Sequence, residues 1–510
     1  MNPTLMIPQY ADYIRILPEL VLSIFGMVIM LVDPLLDDRR SRSLSGALAL
    51  VGSFAAFAAT GIQAQSPGYG FANMVRVDSF STFFHVLIIA ITAIVILSSY
   101  EYLNAQEIRG GEYYGLMLFG AVGMCLMTSA MELVLIFIAL EISSISTYVL
   151  AGFRRRAAIS AESSVKYFLL GSFATAFFLY GVALMFGATG STTIDVIGNV
   201  LRSGNIPTLA YMGVAFMFVG LGFKVAAAPF HIWTPDVYEG APSPVVAFMS
   251  TAPKAAVFAV LLRVMFEANA PGRIWLIWVT AALSMTLGNI GALVQDNVKR
   301  LLAYSSIAHA GYLLVAFAAL PETAVPAAMF YTAAYAVTNI GAFAVVSHFG
   351  GAGERRVTMD DYAGLGERSP LLAATLTLFL LSLIGIPMTG GFFAKFYVFS
   401  AAIKANLVGL TIIGFLNSAI AAYYYLRIIV VMYMREPRDE SPIAPVPFGL
   451  GLALALSLFA TMYLGILPGR VLDYASRSTA DLLPKYKHLV PEVVSERPRL
   501  QPAPGLGEIR

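Results

Sequence analysis

The sequence has few of the residues that redox centres and metal sites depend on. Its 510 residues include one cysteine, Cys125, so a disulfide within the chain is excluded and the four cysteine ligands typical of an iron–sulfur cluster are missing. The five histidines are scattered and lack the spacing of a metal site. We therefore expect no metal and no redox cofactor on this chain.

Charged residues are also scarce. They make up 12% of the chain, against roughly 25% in a soluble domain, while 58% of the residues are hydrophobic. A soluble protein of this length would need a charged surface, so lipid must cover much of the outside. The net charge of +2 attracts no nucleic acid. Neither nucleotide-binding glycine motif occurs in a suitable context, so ATP is not expected as the driving force.

Long apolar runs are what the sequence has in abundance. Since a membrane-spanning helix needs about 20 residues, the sequence predicts an all-α integral membrane protein of about fourteen transmembrane helices. The first run follows a polar start without a basic segment or cleavage site, so we expect it to be retained. The fourth and fifth runs are nearly continuous, and we place their division near Ala130. The predicted spans are 15–33, 43–62, 79–99, 113–130, 131–153, 163–187, 208–230, 243–267, 273–294, 300–320, 325–349, 370–400, 404–434 and 446–468.

Lysine and arginine in the loops predict the orientation, because such residues accumulate on the cytoplasmic side. Loops after odd-numbered spans hold Arg39, Arg40, Arg42, Arg109, Arg154, Arg155, Arg156, Lys299, Arg300, Arg355, Arg356, Arg368, Arg435 and Arg438. Loops after even-numbered spans hold only Arg76, Arg202, Arg273 and Lys404. The first set should be cytoplasmic, which places both termini on the opposite side. The basic tail from about 469 onward departs from this pattern, and its proline-rich end is expected to be extended.

Two predicted spans are interrupted. The seventh reads GLGFKVAAAPFHIW and contains Pro229, and the twelfth reads SLIGIPMTGGFFAKFY and contains Pro387, Gly390 and Gly391. Non-helical backbone at membrane depth is tolerated where it lines a cavity or packs against protein. Paired interruptions favour inverted repeats around a transport site, and an offset of five helices reverses direction as such repeats require. The alternative is a pair of simple packing kinks.

Ionisable side chains inside spans are the candidate functional residues, because each lysine or aspartate at a helix centre costs roughly 2.5–3.5 kcal/mol. Four of them are central: Glu141 in the fifth span, Lys224 in the seventh, Lys254 in the eighth and Lys395 in the twelfth. Desolvation favours the neutral form of an amine, and a nearby carboxylate favours the charged form. A lysine whose distance from a carboxylate changes can therefore take up and release a proton, which predicts proton translocation.

Other ionisable residues have weaker claims. Lys166, His231 and His309 are candidate proton relays, although Lys166 could equally extend its amine to the interface and His309 could equally be a packed core residue. Three further residues are interpreted as structural: Arg427, whose guanidinium keeps its proton, His85, and Glu19, which we expect at the membrane interface.

Several stretches resemble the antiporter-like subunits of respiratory complex I. They include GFKVAAAPFHIWTPDVYEGAPSP, STAPKAAVFAVLLR, ALEISSISTYVLAGF and LLAYSSIAHAGYLL. The stretch RSPLLAATLTLFLLSLIGIPMTGGFFAKFYVF is most similar to the subunit N branch of that family, in which lysine at position 395 fits and where subunit M has glutamate. The resemblance extends from about the fourth span to the thirteenth. The C-terminal tail is longer than the ending the resemblance implies.

The resemblance implies two inverted five-helix repeats with broken helices 7 and 12. It divides the chain into an N-terminal three-helix segment (1–112), a first repeat of helices 4–8 (113–267), a second repeat of helices 9–13 (268–434), and helix 14 with a polar, Pro-rich tail (435–510). Glu141 and Lys224 would be the charge pair of the first repeat, Lys254 the connecting relay and Lys395 the key residue of the second. NADH, FMN, iron–sulfur clusters and quinone would be bound by partner subunits.

The sequence analysis therefore predicts a membrane-arm subunit of a proton-translocating NADH–quinone oxidoreductase. Its partners would be other membrane-arm subunits, lipid and protons, with no nucleic acid, in the inner membrane of a bacterium. The alternatives are a subunit of a multi-subunit cation/proton antiporter or membrane-bound hydrogenase, and a scaffold that moves no ions. Central lysines argue against the scaffold.

Overall fold

The computed structural model describes residues 8–203, 206–267, 272–438 and 442–482, which form a helical bundle with one short hairpin. The proline-rich C-terminal end lies outside the described residues, so its predicted extended structure stays a prediction. The helices are α1 Tyr10–Arg15, α2 Leu17–Val32, α3 Asp38–Gln63, α4 Ser79–Ala105, α5 Gly111–Ser129, α6 Leu133–Ala151, α7 Ala158–Thr189, α8 Ile194–Arg202, α9 Thr208–Lys224, α10 Thr234–Gly240, α11 Ser243–Met249, α12 Ala252–Leu262, α13 Arg273–Leu293, α14 Val298–Phe317, α15 Pro321–Gly350, α16 Leu365–Arg368, α17 Pro370–Ile384, α18 Gly390–Lys404, α19 Val408–Met434, α20 Phe448–Ile466 and α21 Gly469–Leu482. The hairpin pairs β1 Gly68–Gly70 with β2 Val75–Val77, and shorter helical turns cover Asp33–Leu35, Arg263–Glu267 and Met359–Tyr362.

The predicted all-α membrane architecture is confirmed. Within the described residues, 11 helices are long and apolar enough to cross a membrane. The remaining three predicted spans correspond to α5 and to two interrupted helices, α9 with α10 and α17 with α18. The predicted division near Ala130 is also confirmed, because α5 ends at Ser129 and the Glu132 side chain accepts from the Leu135 N–H at the start of α6. The count of fourteen crossings itself stays a prediction.

Burial separates central helices from lipid-facing ones. The most apolar stretch of the span Ser243–Phe266 is 100% buried, whereas that of Leu17–Leu35 is 33% buried. Large apolar side chains such as Phe54 (66% exposed) and Phe459 (69% exposed) lie on the outer helices. A soluble protein rarely exposes so much apolar surface, whereas lipid covers it without cost. The eighth span is therefore enclosed by the other helices.

Two loop contacts recur at one sequence offset. Glu132 forms an isolated antiparallel bridge with Thr193, and Asn297 forms one with Thr358. Both positions of the second bridge are 165 residues after those of the first (132 to 297, 193 to 358). Each bridge also starts from a residue whose side chain caps a helix, Glu132 on α6 and Asn297 on α14. Two related five-helix repeats produce such a correspondence, while the limits of the four predicted segments stay predictions.

The structure adds detail to two interpretations of single residues. Glu19, which we expected at the membrane interface, is 5% exposed and its Oε1 lies 3.4 Å from His85 Nε2, while its depth in the membrane stays a prediction. Arg427 is not central: it is partly exposed and its Nη2 lies 2.9 Å from Asp296 Oδ1 in the loop before α14. Its structural role as an ion-pair partner agrees with the interpretation from sequence.

The orientation predicts which loops each side of the membrane can reach. Cysteines introduced at 154–156, between α6 and α7, should react only with a reagent applied from the cytoplasm, and those introduced at 190–203 only from outside. The reason is the strong excess of lysine and arginine in the first set of loops. The measurement is labelling of intact cells and inverted vesicles with a membrane-impermeant maleimide. Labelling of both loops from one side would contradict the helix count. We call the side with few basic loops the outer side.

Candidate functional site

The candidate site begins at the interruption of the seventh span. Helix α9 ends at Lys224, and non-helical backbone continues until α10 starts at Thr234. Pro229 has no N–H to donate, and Ala226 has φ = +60°, a conformation that ends a helix. The Ala228 N–H donates to the Ser284 hydroxyl at 2.8 Å, so the freed backbone is satisfied by a neighbouring helix. Lys224 is thereby fixed at the end of a half-helix inside the bundle.

The Lys224 ammonium is enclosed by aromatic side chains rather than by a carboxylate. It is 5% exposed, and its Nζ donates to the Tyr148 hydroxyl at 2.8 Å. The same nitrogen lies 4.6 Å from the Tyr148 ring centroid, 5.4 Å from that of Tyr167 and 5.8 Å from that of Phe223. Cation–π contacts of this kind are worth about 2 kcal/mol when desolvated. The cage can hold a charged amine without a direct anion.

Glu141 lies on the neighbouring helix α6 and forms no direct ion pair with Lys224, and its role as the charge partner of that lysine stays a prediction. Within the described residues, no salt bridge joins it to Lys224, although the carboxylate is close enough to act on the amine electrostatically. Its Oε1 is buried and has no hydrogen-bond partner. Glu141 and Tyr148 are two helical turns apart on α6, so the hydroxyl that holds the amine and the unpaired carboxylate lie on one helix face. The charges are separated in this structure.

Lys254 lies in the enclosed eighth span and donates to a serine on α14. Its Nζ is 2.6 Å from Ser306 Oγ and 2.9 Å from the Ser306 carbonyl oxygen. The Tyr335 hydroxyl donates to the same Oγ at 2.8 Å. Ser306 is 165 residues after Glu141, the offset of the two loop bridges. The position that holds a carboxylate in the first repeat therefore holds a neutral hydroxyl in the second.

Lys395 follows the interruption of the twelfth span by one turn. Helix α17 ends at Gly385 (φ = +95°), and Met388 (φ = +71°) extends the break before α18. The Lys395 Nζ donates to the Ile384 carbonyl at 2.7 Å and to Ser418 Oγ at 2.8 Å. The carbonyl is one of those that a helix C-terminus leaves unpaired, where a cation is favoured. The Lys395 amine thus pairs with a carbonyl that the break leaves free, and this carbonyl stabilises the positive charge of the amine.

His309 connects the surroundings of Lys254 and Lys395. Its Nδ1 is 2.8 Å from the Tyr331 hydroxyl, and its ring lies 5.1 Å from that of Tyr335. On the other side, its ring is 5.7 Å from that of Tyr312, whose face is 4.8 Å from the Lys395 Nζ. Two cavities of about 10 Å³ border the imidazole, one lined by Lys254 and the other by Ser382 and Gly391. Each is close to the ~10–15 Å³ that one water molecule needs.

Lys166 and His231, the other two predicted relays, lie away from the group formed by Lys254, His309 and Lys395. Lys166 is partly exposed in the first third of α7, where its Nζ is 2.7 Å from both Glu162 Oε1 and Asp236 Oδ2. His231 is half-buried in the break after α9, and its Nδ1 has no hydrogen-bond partner. The structure therefore brings Lys254, His309 and Lys395 together and places Lys166 in a surface ionic cluster with Arg300.

Several site residues were missed by the sequence analysis because they are neutral. Three of them accept hydrogen bonds from the lysines: Tyr148, Ser306 and Ser418. The fourth, Tyr335, donates to Ser306. None of the four carries a charge, so none stands out within a membrane span. The helical spacing from Glu141 could have identified Tyr148.

Comparison with known proteins gives the family. The NADH:quinone oxidoreductase/Mrp antiporter transmembrane family matches residues 130–421. NADH-quinone oxidoreductase subunit N 2 of Koribacter versatilis is 65% identical over 480 residues, which cover 92% of this chain and 98% of that protein.

Solved structures agree with this assignment. A chain of respiratory complex I from Thermus thermophilus, solved with bound aureothin, is 36% identical with a TM-score of 0.77, and the match covers 90% of this chain and 99% of that one. A chain of the Mrp complex from Dietzia sp. DQ12-45-1b has a TM-score of 0.81 at 19% identity, over 93% and 98% of the two chains, which shows a common fold. The chain belongs to the NADH-quinone oxidoreductase subunit N family, within the NADH:quinone oxidoreductase/Mrp antiporter membrane proteins.

Proposed function

We propose that this chain translocates protons as a membrane-arm subunit of NADH–quinone oxidoreductase, driven by quinone reduction in partner subunits. The observation that carries the proposal is the environment of three buried lysines. Within the described residues, Lys224, Lys254 and Lys395 donate only to hydroxyl and carbonyl oxygens. Neutral acceptors tolerate both the charged and the neutral amine, whereas a carboxylate partner would fix the charge.

A buried lysine with a structural role gives the contrast within the same chain. Lys299 is fully buried at the cytoplasmic start of α14, and its Nζ is 2.8 Å from Glu354 Oε2. Its charge is compensated by a fixed anion, as burial of a permanent charge requires. Among the residues that the structure describes, no carboxylate is in direct contact with the three interior lysines, which supports proton exchange as their function.

We assign the roles as follows. Glu141 and Lys224 form the charge pair of the first repeat, and Lys254 passes protons between the repeats. Lys395 is the key proton-exchanging residue of the second repeat. His309 joins Lys254 to Lys395 through Tyr335 and Tyr312, which supports its role as a relay. Lys166 is a candidate entrance group on the cytoplasmic side, and His231 is a candidate relay beside the break.

The experiment for this proton path is proton pumping by the assembled complex after replacement of the buried lysines. Pumping should fail although the complex assembles. Replacement of Lys224 gives the sharpest contrast, because alanine and arginine remove different properties of the same site. Sodium-free buffer separates proton translocation from the antiporter alternative, since an antiporter subunit would need a second cation for turnover.

We further propose that the redox centres belong to partner subunits. The single thiol, Cys125, is buried, and no group of three metal-ligating side chains occurs within the described ranges. We expect the purified full-length chain to bind no flavin, haem or iron–sulfur cluster, and the measurement is its visible absorption spectrum together with metal analysis. A stoichiometric chromophore would contradict the proposal.

A further inference from the structure

A second group of buried ionisable residues lies in the N-terminal helices, apart from the lysines. Glu19 on α2 is 5% exposed, and neither carboxylate oxygen has a hydrogen-bond partner. Its Oε1 lies 3.4 Å from Nε2 of His85 on α4, a side chain that is fully buried. A carboxylate isolated from water is strongly disfavoured unless it is paired or protonated. The charge of Glu19 is therefore tied to the protonation of His85.

The first ring nitrogen of His85 carries a proton in this arrangement. Its Nδ1 is 2.9 Å from Gln63 Oε1 at the end of α3. The Gln63 Nε2 donates to the Arg15 carbonyl at 2.6 Å, which identifies the amide oxygen as the atom that faces the ring. An amide oxygen only accepts hydrogen bonds, so Nδ1 must donate.

The second ring nitrogen has partners for both of its protonation states. Nε2 is 2.9 Å from the Cys125 carbonyl, which only accepts, and 3.0 Å from the Ser129 hydroxyl, which can donate or accept. A neutral ring accepts from Ser129. A charged ring donates to the Cys125 carbonyl and faces the Glu19 carboxylate. The surroundings of His85 thus satisfy the imidazole and the imidazolium alike.

We propose that Glu19 and His85 form a proton-binding site that holds one shared proton, separate from the line of lysines. The pair is neutral overall whether the proton is on the carboxyl or on the imidazole. Loss of this proton would leave a buried carboxylate without compensation, and gain of a second would leave a buried imidazolium without an anion.

The neighbouring helices bring no second charge that would fix the pair in one state. The remaining ionisable groups near it are Cys125 on α5, Arg15 on α1, which pairs with Asp12, and Asp78 before α4, which pairs with Arg76 and Arg263. Helix α21 contributes Tyr474, whose hydroxyl donates to the Ser79 carbonyl. Each charge in this set is compensated by a partner other than Glu19 or His85.

A cavity on the outer side lies near this pair without reaching it. It has a volume of about 640 Å³ and is lined by Ala64 and Thr82 among other residues. Ala64 directly follows Gln63, and Thr82 is three residues before His85 on α4, which is one helical turn. His85 therefore lies about one helical turn from a residue that lines this cavity.

The test uses a hydrophobic carbodiimide, which reacts with protonated carboxyl groups in apolar surroundings, on the assembled complex at neutral pH. Modification of Glu19 is located by peptide mass spectrometry. We expect partial modification in the wild type, and a severalfold increase in His85→Gln, because the carboxyl then keeps the proton alone. Glu132, the cap of α6 on the same side, serves as the reference carboxyl and should react equally in both proteins.

Two results would overturn the proposal. Equal modification of Glu19 in wild type and His85→Gln would show a simple buried acid that shares nothing with the histidine. Absence of modification in both would show a permanently ionised, structural carboxylate. If His85→Gln fails to assemble, the infrared difference between wild type and Glu19→Gln decides: a shared proton gives both carboxylic-acid and carboxylate bands for Glu19, and either band alone contradicts it. Neither measurement depends on proton pumping. The proposal for Glu19 and His85 can therefore be contradicted while the proposed proton path through the lysines remains.

Discussion

Replacement of Lys224 by alanine is expected to lower proton pumping and coupled quinone reduction strongly in the assembled complex. Moving one charge against 100 mV costs about 2.3 kcal/mol, so a relay site must change its proton affinity by at least that amount during the cycle. At 1.36 kcal/mol per factor of ten, a site that can no longer make this change of proton affinity should lower turnover roughly 50-fold. The measurement is NADH-driven proton uptake and NADH–quinone turnover in inverted membranes, with assembly checked separately.

Lys224→Arg should impair pumping as well, because arginine keeps its proton at any relevant pH. A guanidinium can keep the cation–π contacts with Tyr148 and Tyr167. This variant therefore retains a positive charge at the site but cannot release a proton. Glu141→Ala should be damaging and Glu141→Asp milder, since the charge survives at a slightly greater distance. Lys404→Ala is the matched control, because that lysine is exposed at the end of α18 and should leave pumping unchanged. Normal pumping by both Lys224 variants would make Lys224 a structural residue.

The local features of this site could be predicted from sequence. A hydrophobic run long enough to span a membrane has one stable conformation there, so the positions of the helices follow directly. Pro229 and Pro387 marked the two interruptions correctly, because a proline removes a hydrogen-bond donor from its own backbone, whereas Gly390 and Gly391 are the first residues of α18. Lys224, Lys254 and Lys395 stood out because a charge in an apolar run is costly wherever the chain folds.

Features that depend on long-range contacts could not be predicted. Lys299 and Arg263 are fully buried, yet their partners Glu354 and Asp78 are 55 and 185 residues away. The sequence predicts Lys299 in a loop, because this residue directly precedes the predicted span 300–320. The burial of Glu19 depends on the position of α5, which no local pattern contains. The direct partner of Lys224, the Tyr148 hydroxyl, likewise lies 76 residues away in the sequence.

Glu354→Gln is expected to destabilise the fold by about 3–5 kcal/mol, since removing one partner of a buried ion pair leaves the other charge uncompensated. Glu354 lies in the loop after α15 and is 8% exposed. Its Oε2 accepts from Lys299 Nζ at 2.8 Å and Arg154 Nη1 at 2.9 Å, and its Oε1 accepts from the Ser243 N–H at 2.7 Å. The carboxylate thus ties the loop between α6 and α7 in the first repeat to the second repeat.

The pH dependence of this effect has a definite sign. Burial alone would raise the pKa of Glu354, but Lys299, the hydrogen bond from Ser243 and Arg154 outweigh burial and lower the pKa below its usual value. A carboxyl with a lowered pKa in the folded state stabilises the fold above its unfolded pKa of about 4.3. This stabilisation is lost as the pH falls through the folded pKa. The difference between wild type and Glu354→Gln should therefore be full at neutral pH and shrink in acid.

The measurement is the midpoint of thermal denaturation of the purified chain in detergent, at neutral and at acid pH. Glu112→Gln is the matched control, because the Glu112–Arg155 pair is exposed (58% and 74%) and such pairs are worth about 0–1 kcal/mol. Adding Lys299→Met to Glu354→Gln should recover much of the loss, since it removes the fully buried cation and leaves only Arg154, which is partly exposed and also donates to the Gly353 carbonyl. If Glu354→Gln is as stable as the control, or if Lys299→Met destabilises it further, the loop is held by packing rather than by this carboxylate.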